Sequence, residues 1–320
     1  MDANDNLYTK IFFPHIATAS ERAISNGGRF VYYTTAATAY LILKNQEIWL
    51  RSTAVMNDYM EVNHGLNCLI NSYNSPIGQE FETALDKCFP GISVDIRSLF
   101  NSWIPTIKQN TYVISVSEHH PTEDEFGRLS MWRAYGGDTG VALIVNGGAM
   151  FRPSDALGAY SSPIAYLNSD GVAEELTKIK KGILANIEYV RSLGANGLKQ
   201  AVFEALRFAA ICTKHPAFLE EKEWRVVSTK ILHENPRLPP HVEIIGGIPQ
   251  TVLKLKLEDH PDEGLYGLAI PSFVERVLIG PCEYPETIKR SLTTVLGAAG
   301  VDKPETRVHI TGIPLRQNQR

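Results

Sequence analysis

Cysteine is scarce and scattered. Cys68, Cys88, Cys212 and Cys282 form no Cys-x-x-Cys pair, which argues against a disulfide scaffold or a zinc ribbon. Nine histidines form neither His-Glu-x-x-His nor His-x-His, so the expected metal set is none. His119, His120 and His215 fall in expected loops. Basic charge has no excess: 31 Lys and Arg stand against 35 Asp and Glu, a net charge of −4. A whole-protein field for nucleic acid is therefore absent. Apolar runs such as 139–145 are too short to span a bilayer. The opening MDANDNLYTKIFF lacks a basic region followed by an apolar stretch, so the reading expects no secretory signal, no membrane partner and a cytoplasmic location. No phosphate-cradling Gly-x4-Gly-Lys-Ser/Thr loop, helix-opening Gly-x-Gly-x-x-Gly or Gly-x-Ser-x-Gly elbow is present. What remains is a chain of 320 residues with 44% apolar and 21% charged residues, which excludes disorder and a long coiled coil.

Periodicity supplies the elements. Residues 1–27 read as a helical N-terminal extension on the spacing of Ile11, Phe12, Ile16 and Ala17. Asn26-Gly27-Gly28 is a turn, and 29–34 (RFVYYT) a strand. Thr34 or Thr35 caps a helix over 36–44. Further strands are expected at 47–51, 112–118, 140–145, 224–228, 242–245, 252–257, 274–279 and 307–310. Helices are expected at 56–71, 79–88, 130–135, 172–193, 198–212 and 284–296. Strands at both ends with helices between predict a single α+β domain over 28–320, its mixed sheet combining N- and C-terminal strands.

Polar and aromatic groups gather in four segments: Val31-Tyr32-Tyr33-Thr34, the stretch 51–61 (RSTAVMNDYME), 131–136 (MWRAYG) and 214–225 (KHPAFLEEKEWR). Their order, with ILKNQEIWLRS before the second, GVALIV after the third, and VLIGP and IPLR at the end, resembles the bacterial family named domain of unknown function 2971. The resemblance runs from about residue 30 to residue 316. It implies no activity.

A second resemblance is to ADP-ribosyltransferases. In that family a first strand carries His-x-Thr, Tyr-x-Thr or Arg, a second strand ends in Ser or Thr, and a late strand opens with a catalytic Glu. Tyr32, Tyr33 and Thr34 fit the first element, Arg51 and Ser52 the second, and Glu221-Lys222-Glu223 the third. The resemblance implies an ADP-ribosyltransferase-like sheet, NAD as substrate, and cleavage of the nicotinamide–ribose bond. The acceptor would be a protein, a nucleic acid or a small molecule.

The chemistry asks for these groups. Breaking that bond builds positive charge on the sugar, and a fixed carboxylate stabilises it. Glu223 is expected there. On an extended segment Glu221 would share its face and activate the acceptor. Tyr32 or Tyr33 would bind the nicotinamide nucleoside, and Arg51 the pyrophosphate. Glu223→Gln should then keep the fold and lose turnover. Trp132 and Tyr135 read as a core anchor, and Arg225 as a partner for Asp58 or Glu61. Two alternatives stand beside this. Asp58, Glu61, Glu221 and Lys222 would suit a Mg²⁺-dependent nuclease. A non-enzymatic binding protein of a defence or toxin–antitoxin system would use the aromatics as core. Convergence of Tyr32, Arg51 and Glu223 on one open cleft favours the transferase; mutual burial and pairing favours the structural reading.

Overall fold

Thr35 sets the first strand-to-helix boundary. Its hydroxyl accepts from the Thr38 amide at 3.3 Å, so the chain leaves an extended path and enters a helix there. The computed structural model describes residues 3–55, 59–151, 155–232 and 234–314. Helices α1 (Ala3–Phe12) and α2 (Pro14–Ser25) come first, divided by Pro14, whose missing amide suits a helix start. Then follow β1 (Arg29–Thr35), α3 (Ala36–Asn45) and β2 (Glu47–Ser52). Three helices, α4 (Tyr59–Tyr73), α5 (Pro76–Cys88) and α6 (Ile92–Asn110), lead to β3 (Thr111–His119). Next are α7 (Leu129–Tyr135), β4 (Thr139–Asn146), β5 (Tyr160–Pro163) and β6 (Ala165–Tyr166). The helices α8 (Ser169–Ala185), α9 (Ile187–Ser192) and α10 (Gly194–Ile211) precede β7 (Thr213–Lys214) and β8 (Glu223–Thr229). The chain closes with β9 (Pro240–Ile245), β10 (Ile248–Lys256), α11 (Ile270–Phe273), β11 (Val274–Cys282), α12 (Pro285–Ala298) and β12 (Val308–Ile310).

The α+β class expected from the sequence is what the chain adopts. The main sheet runs β12-β11-β4-β1-β3-β2-β10-β9, so N- and C-terminal strands do interleave. The sequence reading assigns no element between residues 88 and 112, where the structure has α6. Pro105 lies inside that helix and masks its apolar repeat, yet Ile92, Ile96, Phe100 and Ile107 are all buried. Ile11 and Phe12 of α1 sit in the helical core with Leu66, Ile183 and Phe208.

Strand β3 has three neighbours. One edge pairs with β8 along its length, Thr111 opposite Thr229 through to Ser117 opposite Glu223. The other edge is shared. Its far end, from Ser117 onward, pairs with β1, and its near end, at Tyr112 and Val113, pairs with β2. Between these contacts the sheet splits. Side chains alternate between faces along a strand. One face carries Phe30, Leu50, Ile114 and Trp224 into a large apolar core. On the other face, Val113 and Val227 pack under the helical layer of α4, α6 and α10. Farther along that face, Val31 and Tyr33 pack with Met131 and Trp132 of α7. The strip between those two patches holds the polar groups.

Candidate functional site

The uncovered strip lies where an apolar alternation turns polar. In β3, Val113 is followed on the same face by Ser115 and Ser117, and the register sets Arg225 and Glu223 beside them. A cleft of about 210 Å³ opens over this strip, its walls drawn from β1, β2, β3, α7 and the start of β8. Tyr32, Tyr33, Arg51, Glu221 and Glu223 all line it, with Trp49, Ser115, Ser117 and Tyr135. A second hollow of about 290 Å³ abuts it and shares Tyr32, Trp49 and Arg51.

An ionic network closes the floor. Glu223 is 6% exposed. Its Oε1 accepts from Arg225 Nε at 2.8 Å and from Ser115 Oγ at 2.5 Å, and Lys214 Nζ lies 3.2 Å from Oε2. Burial alone would raise its pKa; Arg225 first and Lys214 next outweigh that and hold it down to about 2. Lys214 is 1% exposed and also donates to Glu221 Oε2 at 2.7 Å, with the Phe218 ring 4.6 Å away. The Arg225 guanidinium donates to the Ile211 carbonyl at 2.6 Å. Glu221, its side chain 18% exposed, stands nearer the mouth, and Tyr135 Oη donates to its Oε1 at 3.1 Å. Burial, then the Glu221 charge, drives the Tyr135 phenol well above its ordinary value. Glu221, Glu223, Lys214 and Tyr135 thus share one chain of charge-assisted contacts.

Several expectations need correction. Glu221 and Glu223 are not on one extended segment. Glu221 ends a 3-10 turn over Pro216–Glu221, and Lys222 adopts a left-handed conformation with φ +46°. That turn, and not strand alternation, brings both carboxylates to Lys214. Glu223 does not stand as a free carboxylate, so an intact fold for Glu223→Gln does not follow from its surroundings. Arg225 pairs with Glu223; the partners expected for it, Asp58 and the Glu61 side chain, lie outside the described residues. His119 ends β3, is buried, and meets Asp124 Oδ1 at 2.8 Å, so it is not in a loop.

The nominated residues divide. Tyr33 lies on the strip's face, packed edge-on to Trp132 with centroids 4.9 Å apart, its hydroxyl accepting from the Arg128 amide. Tyr32 points to the opposite face and reaches the cleft at the split, and burial raises its phenol pKa. Arg51 donates to Gln250 Oε1 at 3.1 Å on the rim. Thr34 lines only the second hollow, and Ser52 caps the turn after β2 by accepting from the Ala54 amide. Lys222 is exposed and does not line the cleft; of the other residues named for the nuclease, Asp58 and the Glu61 side chain lie outside the described residues. Trp132 is core, as expected, but Tyr135 belongs to the site.

Sequence reasoning missed Ser115, Ser117, Trp49 and Lys214. The two serines were readable: they are the polar same-face positions of an otherwise apolar strand, YVISVSE. Lys214 was not, because a two-residue bridge between β6 and β7 places it.

Residues 131–226 match the family described as protein of unknown function, DUF2971. The matched stretch carries Trp132, Tyr135, Lys214, Glu221, Glu223 and Arg225, the whole floor of the cleft apart from β3. It agrees with the family resemblance of the sequence over that stretch. No curated protein and no solved structure matches the chain. The likeness to ADP-ribosyltransferases gains no support from these comparisons. None of the described helices is long and apolar enough to cross a membrane.

Proposed function

We propose that the protein is an NAD-dependent ADP-ribosyltransferase-like enzyme that breaks the nicotinamide–ribose bond in the cleft beside β3. One observation carries the reading. Tyr32, Tyr33, Arg51, Glu221 and Glu223, nominated from distant parts of the chain, line the same open cleft. Its volume suits a ring and a sugar, and the abutting hollow takes the remaining half of a dinucleotide past Arg51.

In this reading the C–N bond breaks heterolytically, its electron pair returning to the nicotinamide ring nitrogen. The sugar is left cationic over the carboxylates. Glu223, kept ionised by its cations, sets the local field and positions Lys214. Glu221, nearer the mouth, takes the proton from the acceptor hydroxyl or amine as that atom attacks the sugar.

The test is nicotinamide release from NAD in chelator, with cell extract as acceptor source. Glu221→Gln is expected to keep the fold, since its carboxylate is partly solvated. Transfer to acceptor should fall about 10²–10⁴-fold, as for loss of a general base, while hydrolysis of NAD to free ADP-ribose partly survives. Cleavage of nucleic acid restored by Mg²⁺, with no NAD consumption, would overturn the proposal in favour of the nuclease. Absence of any NAD binding would favour the structural reading of the network.

A further inference from the structure

We infer that β9, the last strand of the main sheet, is a pairing edge for a second copy of this chain, the two sheets joining antiparallel about a twofold axis at Val242. The sheet order ends at β9, and among the described residues β10 is its only strand partner. Such an edge is a template for a further strand, and folded proteins commonly blunt it with lysine, a bulge or shortness. The opposite edge has the last of these, since β12 covers only Val308–Ile310. Strand β9, PHVEII, carries no lysine, and its register with β10 runs unbroken from Ile245 opposite Ile248 to Pro240 opposite Leu253. Its one acidic group, Glu243, is held to its own sheet by Lys254 at 2.6 Å. Val242 and Ile244 stand 72% and 73% exposed.

Turn geometry tells which main-chain groups face out. Ile245 and Ile248 close a two-residue turn, Gly246-Gly247, with φ of +59° and +80°. Two positive φ values mark the type I′ hairpin, whose closing residues bond to each other. Bonding alternates along a strand, so Ile245, Glu243 and His241 bond to β10, while Ile244, Val242 and Pro240 turn outward. Both prolines obey this alternation: Pro240, and Pro249 opposite Ile244, stand where β9 and β10 need no N–H from them.

Outward residues must pair with outward residues, so few registers are open to two copies of β9. With Val242 opposite its own copy, Ile244 lies opposite Pro240, and His241 lies opposite Glu243 of the second copy on both sides of the axis. With Val242 opposite Ile244, Glu243 meets Glu243, a like-charge pair at the closest cross-strand spacing. Centring on Ile244 runs Val242 onto the Gly246 turn, and setting Val242 opposite Pro240 leaves Ile244 against Leu238, outside the strand. Charge and length therefore favour the axis at Val242. There Val242 exchanges both main-chain bonds with its copy, and Ile244 donates to the Pro240 carbonyl. Val242, Ile244 and Pro240 of both copies make one apolar stripe, and the His241–Glu243 pairs lie on the other face. Arg51 shares that other face through Val252, so the two clefts open on the same side of the joined sheet. The inference is independent of the chemistry in the cleft.

The test is the mass of the full chain by sedimentation over a concentration series. The parent is expected to rise from 35.5 kDa toward twice that value with concentration, as suits a small interface. Val242→Lys, which sets a lysine against its own copy, and Ile244→Pro, which removes an outward N–H, should each weaken the dimer at least about tenfold. Both should keep the parent melting temperature, because neither group serves β10. Ile248→Lys, at a comparably exposed apolar residue on the other face, should leave the dimer unchanged. Under mild oxidation Val242→Cys should cross-link to its own copy, and Ile244→Cys, whose copies lie apart, should not. A monomer at every concentration would overturn the inference and leave the edge to a foreign strand. A dimer insensitive to both edge variants, or one that Ile248→Lys breaks equally, would also overturn it. Cross-linking of Ile244→Cys in preference to Val242→Cys would defeat the axis proposed.

Discussion

Glu223→Gln is expected to melt at a markedly lower temperature than the parent and to release no nicotinamide from NAD. The amide keeps the shape of the carboxylate and can still accept from Ser115. It cannot hold Lys214 and Arg225 electrostatically, and both are buried with Glu223 between them. Removing one partner of a buried ion pair costs roughly 3–5 kcal/mol, because the other charge stays desolvated. Adding Lys214→Met should return a substantial part of that loss, while Lys214→Met alone should also destabilise. Acid reports on the same contact. The folded pKa is about 2 against an ordinary 4.5, so the carboxylate binds protons less readily when folded. Its stabilisation is fully present above pH 4.5 and is lost as pH falls from there to about 2. Glu223→Gln should flatten that limb of the melting-temperature profile. An unchanged melting temperature with lost turnover would mean that the carboxylate acts on the substrate and not on its neighbours. An unchanged turnover would remove Glu223 from the chemistry.

Trp132→Ala is expected to cost roughly 3–5 kcal/mol, the usual range for emptying a buried large aromatic site. Trp132 is 3% exposed, stacks edge-on to Tyr33, and donates from Nε1 to the Phe126 carbonyl at 2.7 Å. Glycines shape its seat. A Cβ at Gly280 would lie 2.6 Å from the Trp132 ring, and one at Gly140 would lie 3.1 Å away. Gly280→Ala should therefore destabilise by overpacking, in the direction opposite to the cavity yet with the same sign on stability. The cleft should loosen with the core, because Met131 and Tyr135 sit on the same short helix and both line it. Chemical denaturation measures the first effect. Ligand affinity, taken at a temperature where the variant is still folded, measures the second. Full stability with lost binding would make Trp132 a contact residue instead of an anchor.

Local chemistry determined most of the elements. Alternation in YVISVSE and the β-branched and aromatic content of RFVYYT named two central strands, and the Thr35 cap was legible because its hydroxyl acts on an amide three residues away. The α+β class and the burial of Trp132 followed from the same short-range rules. Where local signals conflicted, the sequence misled. Pro105 broke the pattern of a 19-residue helix that packing nevertheless holds together. Glu221-x-Glu223 read as alternation, but a left-handed Lys222 decided their geometry.

The site belongs to the second kind of information. Its residue types were visible, and their nomination from three separate segments converges on one cleft. Which carboxylate is buried, and which cation holds it, was not visible. Lys214 reaches Glu221 and Glu223 only because a two-residue parallel bridge, β6 to β7, carries it under the end of β8. The split in the sheet beside Ser115 is likewise a product of two registers, β1 and β2, that stop short of each other on one strand. Alternation and capping act over a few residues and are written in the order of the chain. Pairing registers join residues about a hundred positions apart, as Ser115 and Glu223 are, and only the folded sheet sets them side by side.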